Sequence, residues 1–258
     1  MRGYLRILFR SLEAAVASWT EYRLDFLAAL LTTLVESAGR VVAILSLARV
    51  GVLDLDPDRA LVYVGAATLM SGFFVSVVGP NLVAFSRRLL EGTLEFVLLR
   101  PRDPVFLLLT ETASLWGMTD LWAGATLLGV GLFRLGAGAG EVLVGVLALG
   151  LGMVLAYLFA FLLALVGFFS VYVHNLVNLV AGLFGAGQYP VRAYAPLVRA
   201  LLTFVVPVYL ALNLPVELFL GARGVGAVLG LFLAVLGLWL LVRLGFALGL
   251  RFYTSASS

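Results

Sequence analysis

Six apolar runs, each near the length that crosses a lipid bilayer, leave this chain few ways to fold. They lie at about Leu24 to Ala48, Ala60 to Leu82, Pro104 to Phe133, Glu141 to Leu165, Val166 to Gly187 and Val225 to Leu250. A helix needs about 20 apolar residues to span the hydrocarbon core, and backbone amides inside lipid must be satisfied within the segment, so such runs predict helices. Composition agrees: 63% of the residues are hydrophobic and 12% are charged, against roughly 45–50% and 25% in soluble domains. The expected fold is an all-α integral membrane protein of six transmembrane helices, a single domain over residues 1–258 with no separate soluble part.

Residues 1–22 read as an amphipathic helix lying in the membrane interface. Arg2, Arg6, Arg10 and Glu13 share one face, while Leu5, Leu8, Phe9, Leu12 and Val16 fall largely on the other. Trp19 and Tyr22 suit the lipid–water boundary. Arg6 and Arg10 interrupt what would be the apolar core of a cleavable signal. A plain helical extension of the first span is the alternative.

Residues 188–223 are apolar but are cut by Pro190, Pro196, Pro207 and Pro215. Proline removes an amide donor and breaks a helix, so the pieces are too short to cross comfortably. Half-helices dipping into the membrane as a re-entrant segment are expected, with a proline-kinked seventh span from Pro196 to Pro215 as the alternative. Arginine placement puts the N- and C-termini and the interval Val83 to Asp103 in the cytosol. Arg2, Arg6, Arg10, Arg23, Arg87, Arg88, Arg100, Arg102 and Arg251 then sit inside. Arg49, Arg59, Arg134, Arg192, Arg199 and Arg223 lie at the outer ends, and Arg40 and Arg243 within spans.

That central cytosolic segment, residues 84–103, is the longest charged interval between apolar runs. Arg87, Arg88, Glu91 and Glu95 fall at three- and four-residue spacings that permit pairing along a short helix, with Leu89, Leu90, Leu94, Val97 and Leu98 as its apolar side. Gly92 interrupts that helix, and Pro101 with Pro104 stops it. Two readings follow: a solvated loop helix under the bundle, or a docking helix that receives force from a cytosolic partner.

Three stretches carry a family resemblance. Residues 91–109, EGTLEFVLLRPRDPVFLLL, match in Gly92, Leu94, Glu95, Leu98, Leu99, Arg100 and Pro101 the G-x-L-[DE]-x-x-L-L-R-P pattern of one branch of ABC-2-type transporter permeases. EYRLDF, residues 21–26, is similar to that branch's entry into its first span, and the proline-rich stretch Tyr189 to Gly221 resembles the region before its last span. The resemblance implies a membrane subunit of an ABC exporter in the cell (inner) membrane of a prokaryote. It makes residues 84–103, with Arg87, Arg88, Glu91, Gly92, Glu95, Arg100 and Pro101, a coupling interface for ATPase subunits, and residues 188–223 an extracellular re-entrant element. It also implies two permease chains, identical or related, with two ATPases that hold the ATP and Mg.

The residues agree on the absence of an ATP site within the chain. All 17 basic residues are arginine, and a P-loop requires a lysine that reaches the terminal phosphates. Gly136, Gly138 and Gly140 form a turn with no Lys-Ser pair after it. Cysteine is absent and His174 is the single histidine, so thiolate metal sites and Ser-His-acid hydrolysis have no ligands or base to draw on. His174 with Asn175 and Asn178 reads as a hydrogen-bonded patch, not a metal site, and no nucleic-acid partner is expected of arginines that mark helix ends.

Charges inside spans cost about 2.5–3.5 kcal/mol or more at a helix centre unless paired or wet. Glu36 and Arg40, four apart on the first span, can neutralise each other and either serve structure or line a transport path. Glu111 and Asp120, nine apart, are expected on opposite sides of the third span. Gly145, Gly150, Gly152, Gly226, Gly230 and Gly237 suit close helix packing. The alternative function is a secondary transporter driven by an ion gradient, with Glu36, Glu111 or Asp120 as a proton relay.

Overall fold

The computed structural model describes residues 23–50, 56–169, 182 and 184–253. The interfacial segment 1–22, the patch at His174, Asn175 and Asn178, and most of the fifth apolar run lie outside the described residues. Among those described, every regular element is helical.

Helix α1 is Arg23–Arg49, and α2 runs through Pro57–Leu90. The start of α2 is built by Asp56, whose carboxylate accepts the Arg59 amide at 2.8 Å, and by Pro57, which needs no amide partner in the first turn. A π-helical stretch, Phe74–Val78, widens α2 at mid-length. The sequence reading ends this span at Leu82, but the helix continues to Leu90, because nothing from Val83 to Leu90 breaks a helix. Gly92, in the left-handed region at φ 67°, turns the chain. A single turn, α3 (Glu95–Leu98), follows.

The third apolar run is not one span. It forms α4 (Pro104–Leu109), a non-helical passage over residues 110–117, and α5 (Met118–Leu135), whose last carbonyls are capped at Gly136, φ 65°. Glu111 therefore does not share a helix with Asp120. Helix α6 is Ala139–Ala164, extended by a tighter turn to Phe168. After two short turns come α7 (Pro196–Val205) and α8 (Tyr209–Phe219), which meet at 78° across Pro207. Helix α9 (Gly226–Gly249) closes the fold.

Four described helices, α1, α2, α6 and α9, are long and apolar enough to cross a membrane. The bent pair α7–α8 would make a fifth if it is one span. Six continuous spans are thus not what the described residues display: the third run is broken and the fifth lies largely outside them.

The tightest packing is between α2 and α5. A Cβ on Gly124 would lie 2.5 Å from the Leu69 amide nitrogen, and one on Gly131 would lie 2.9 Å from Val62. Small residues let the two backbones approach, which is how helices associate where lipid offers no hydrophobic drive. Of the glycines expected to serve this purpose, Gly145 meets the Phe219 ring and Gly152 the Ala211 carbonyl, but Gly150, Gly226, Gly230 and Gly237 face open space.

A second cluster gathers Phe85, Leu94, Val97, Leu108, Phe161 and Phe246 beneath residues 84–103. Phe168, at the end of α6, packs on Phe85, Phe246 and Tyr253. Residues 84–103, the end of α6 and the end of α9 therefore share one face of the bundle.

Candidate functional site

The segment 84–103 is anchored from below and open above. Leu94 and Val97, two of the five apolar residues assigned to its helix, are buried, and the Leu94 amide donates to the Tyr253 hydroxyl at 3.2 Å. Leu90 and Leu98 are instead exposed. So are Phe96 (59%) and Leu99 (79%), which the helical pattern did not single out. Around them lie Arg87, Glu91, Arg100 and Pro101, also exposed. Exposed apolar side chains flanked by charged ones are suited to a protein partner.

Ion pairs fix this platform to its neighbours. Arg87 Nε donates to Glu91 at 2.7 Å, the pairing that their four-residue spacing allows. Arg88 does not pair along its own helix. Its guanidinium reaches across to Glu111 and holds the carboxylate in a two-pronged contact, with Nε 2.9 Å from Oε2. Asp103 caps α4 by accepting the Phe106 amide at 2.9 Å and also pairs with Arg243 of α9. Arg243 thus sits level with the charged segment, its guanidinium over the Trp239 ring.

Below the platform, buried Asn81 holds the broken backbone of residues 110–117. Its amide nitrogen donates to the Val77 and Thr112 carbonyls at 2.8 Å each, and its oxygen accepts the Thr112 amide at 2.9 Å. The side chain acts as a stretch of partner backbone, which is what a non-helical segment inside a bundle requires. The π-helical stretch contributes too: the Ser76 carbonyl accepts the Ser114 amide at 2.7 Å. No spacing rule connects residues 31 apart, and so Asn81 escaped the sequence reading.

Glu36 and Arg40 form the expected pair, at 3.0 Å. Arginine is the buried partner, with 7% of its side chain exposed against 59% for Glu36, and it also donates to Thr68 of α2 at 3.0 Å. Asp120 accepts from Thr33 of α1 at 2.5 Å and from Ser71 of α2 at 3.0 Å. Both groups tie α1 to its neighbours. Glu111 and Asp120 do occupy different surroundings, though through the break between them and not through opposite faces of one helix. Since Glu36, Glu111 and Asp120 are each engaged with a local partner, a proton relay through them is not favoured.

On the opposite face, Pro190 precedes a short turn, Pro196 opens α7, Pro207 lies at the 78° bend, and Pro215 sits within α8, where its π-helical start Tyr209–Asn213 gives way to α-helical Leu214–Phe219. Asn213 accepts the Val191 amide at 3.0 Å and the Tyr63 hydroxyl donates to the Gly187 carbonyl at 2.9 Å, fixing this region against α2. Glu217 accepts from Arg223 Nε at 2.8 Å and from the Tyr209 hydroxyl at 2.9 Å, with Arg192 at 3.5 Å. The hydrogen bond that Arg223 donates to Glu217 raises its guanidinium above its ordinary value, so it stays charged.

Several helices long and apolar enough to cross a membrane are the mark of a multi-pass membrane protein. The family model described as ABC-2 family transporter protein matches residues 55–257, and the chain belongs to that family of ABC transporter membrane proteins. The stretches Glu91 to Leu109 and Tyr189 to Gly221, on which the resemblance rested, both lie within the match. Membership implies ABC ATPase subunits as partners. No match was found among the curated proteins or among the solved structures.

Proposed function

We propose that the chain is the membrane-spanning permease subunit of an ATP-driven exporter, powered by separate ATPase subunits that bind residues 84–103. The observation that carries this reading is the platform itself: exposed Phe96 and Leu99 stand on a segment tied to three other parts of the bundle. A push on that surface is passed through Arg88 to Glu111 and the broken passage before α5, and through Asp103 to Arg243 on α9. Motion at the wet end then moves helices inside the membrane, which a free-standing loop helix would not do.

In this reading residues 84–103 and both termini face the cytosol of a prokaryotic cell, and residues 188–223 form a re-entrant element at the outer face. The 78° bend at Pro207 supports the latter over a simple kinked span, since two short arms at so wide an angle do not add up to a bilayer's thickness. Two permease chains, identical or related, complete the path, with ATP and Mg held by the ATPases. The test is a native pull-down from membranes. It is expected to bring down a P-loop ATPase, and to lose it on Phe96→Ser with Leu99→Ser. A chain that purifies without an ATPase, or that hydrolyses ATP alone, overturns the proposal.

A further inference from the structure

The face opposite residues 84–103 carries a basic cluster that the transport reading does not use. Three arginines, Arg192, Arg199 and Arg223, gather here against two carboxylates, Glu217 between Arg192 and Arg223, and Glu141 beside Gly221. Arg192 and Arg223 reach the Glu217 carboxylate directly. Arg199 is placed by backbone, donating to the Arg192 carbonyl at 2.9 Å and to the Tyr194 carbonyl at 3.3 Å. Carbonyl contacts orient a guanidinium without neutralising it, and the side chain of Arg192 is 76% exposed.

Immediately beside this cluster, α7 shows an apolar ridge. Leu197, Leu201, Phe204 and Val205 are all exposed, and Phe204 reaches 85%. Guanidiniums at the head of an exposed apolar ridge match one chemistry in both parts: a phosphate headgroup above acyl chains. Arginine forks suit phosphate oxygens, and basic clusters at the membrane surface attract anionic lipids.

We infer that Arg192, Arg199 and the α7 ridge form a binding site for an anionic phospholipid, with the phosphate on the guanidiniums and an acyl chain along Leu197, Leu201 and Phe204. The site is independent of the ATPase platform. Its failure would leave the proposed function untouched, and the converse also holds.

The test uses the full chain in nanodiscs of equal phosphatidylglycerol and phosphatidylcholine, with the retained lipids counted by native mass spectrometry after release. The wild type is expected to retain phosphatidylglycerol preferentially. Arg192→Gln with Arg199→Gln is expected to lower that preference about 25-fold, at about fivefold for each arginine near the surface. Arg192→Lys with Arg199→Lys, which keeps the charge, is expected to restore most of it and so to separate binding from misfolding. Arg59→Gln with Arg134→Gln removes two exposed arginines elsewhere on the same face and is expected to change nothing.

The inference is overturned if the wild type shows no preference, or if the glutamine pair retains it. It also fails if the control pair loses as much, or if the lysine pair does not recover. Soluble glycerol phosphate binding as well as the lipid would show a headgroup site without a lipid's ridge, and would overturn it too. A glutamine pair that changes the oligomeric state but not the lipid count would make this face an interface between copies instead.

Discussion

The two ends of the bundle are both broken, both rich in arginine and both organised by a buried asparagine, yet they are wired differently. At the platform end the contacts are long-range. Asn81 holds Thr112, Arg88 holds Glu111, Asp103 meets Arg243 and Leu94 meets Tyr253, so the passage at 110–117, α9 and Tyr253 beyond it are all tied to this end. At the opposite end the contacts around Glu217 are local: Arg192, Tyr209 and Arg223 converge on it within one stretch of chain, apart from the long-range pair of Arg134 with Asp58 at 3.6 Å. Under the proposed function the first surface has to be cross-linked to what it moves, whereas the Glu217 cluster does not.

The sharpest way to break this comparison is to remove its two asparagines in turn. Asn81→Leu strands the Thr112 amide and carbonyl inside the bundle and is expected to cost about 2–4 kcal/mol. Asn213→Leu strands the Val191 amide and should cost about 1–2 kcal/mol. Unfolding of the two variants in mixed micelles gives the order directly, and equal losses would remove the distinction between the ends. Next in size is Glu111→Ala, which leaves Arg88 partly buried without its carboxylate and is expected to cost about 2 kcal/mol. Part of that loss should return in Arg88→Met combined with Glu111→Leu; no recovery would mean that the pair is not what holds the passage. Glu217→Gln is expected to cost about 1 kcal/mol or less, since Arg192 and Arg223 remain open to water. Smallest is Arg87→Ala: its pair with Glu91 is open to water, and its loss should leave the melting temperature unchanged.

How much of this was legible beforehand follows from what a linear pattern carries. Apolar run length located α1, α2, α6 and α9, since lipid imposes one dominant rule on all of them. Local rules also worked within a turn or two, as with Arg87 and Glu91, Gly92 at its left-handed turn, and Pro104 opening α4. The passage at residues 110–117 was not legible, because Thr110 to Trp116 contains no proline or glycine and reads as a polar dip within one apolar run. What breaks the helix there is tertiary: Asn81, Arg88 and the π-helical carbonyl of Ser76 offer partners that compete with helical bonding. Four of the six packing glycines were misassigned for the same reason. Gly124 and Gly230 look alike in sequence, but only Gly124 has a neighbouring backbone to admit.

The platform itself was half visible. The Arg87–Glu91 pair and the turn at Gly92 followed from spacing and residue type, while Phe96 and Leu99 emerged only when Leu94 and Val97 were seen to take the buried side. Those two exposed side chains carry the central claim. The direct measurement is ATP hydrolysis by the co-purified complex in proteoliposomes, wild type against Phe96→Ser with Leu99→Ser, with thermal stability of the permease followed in parallel. The account predicts that permease-stimulated hydrolysis falls at least about tenfold, the effect of losing roughly 1.4 kcal/mol or more of docking energy, while the melting temperature holds. Undiminished stimulation in a folded double variant would contradict it.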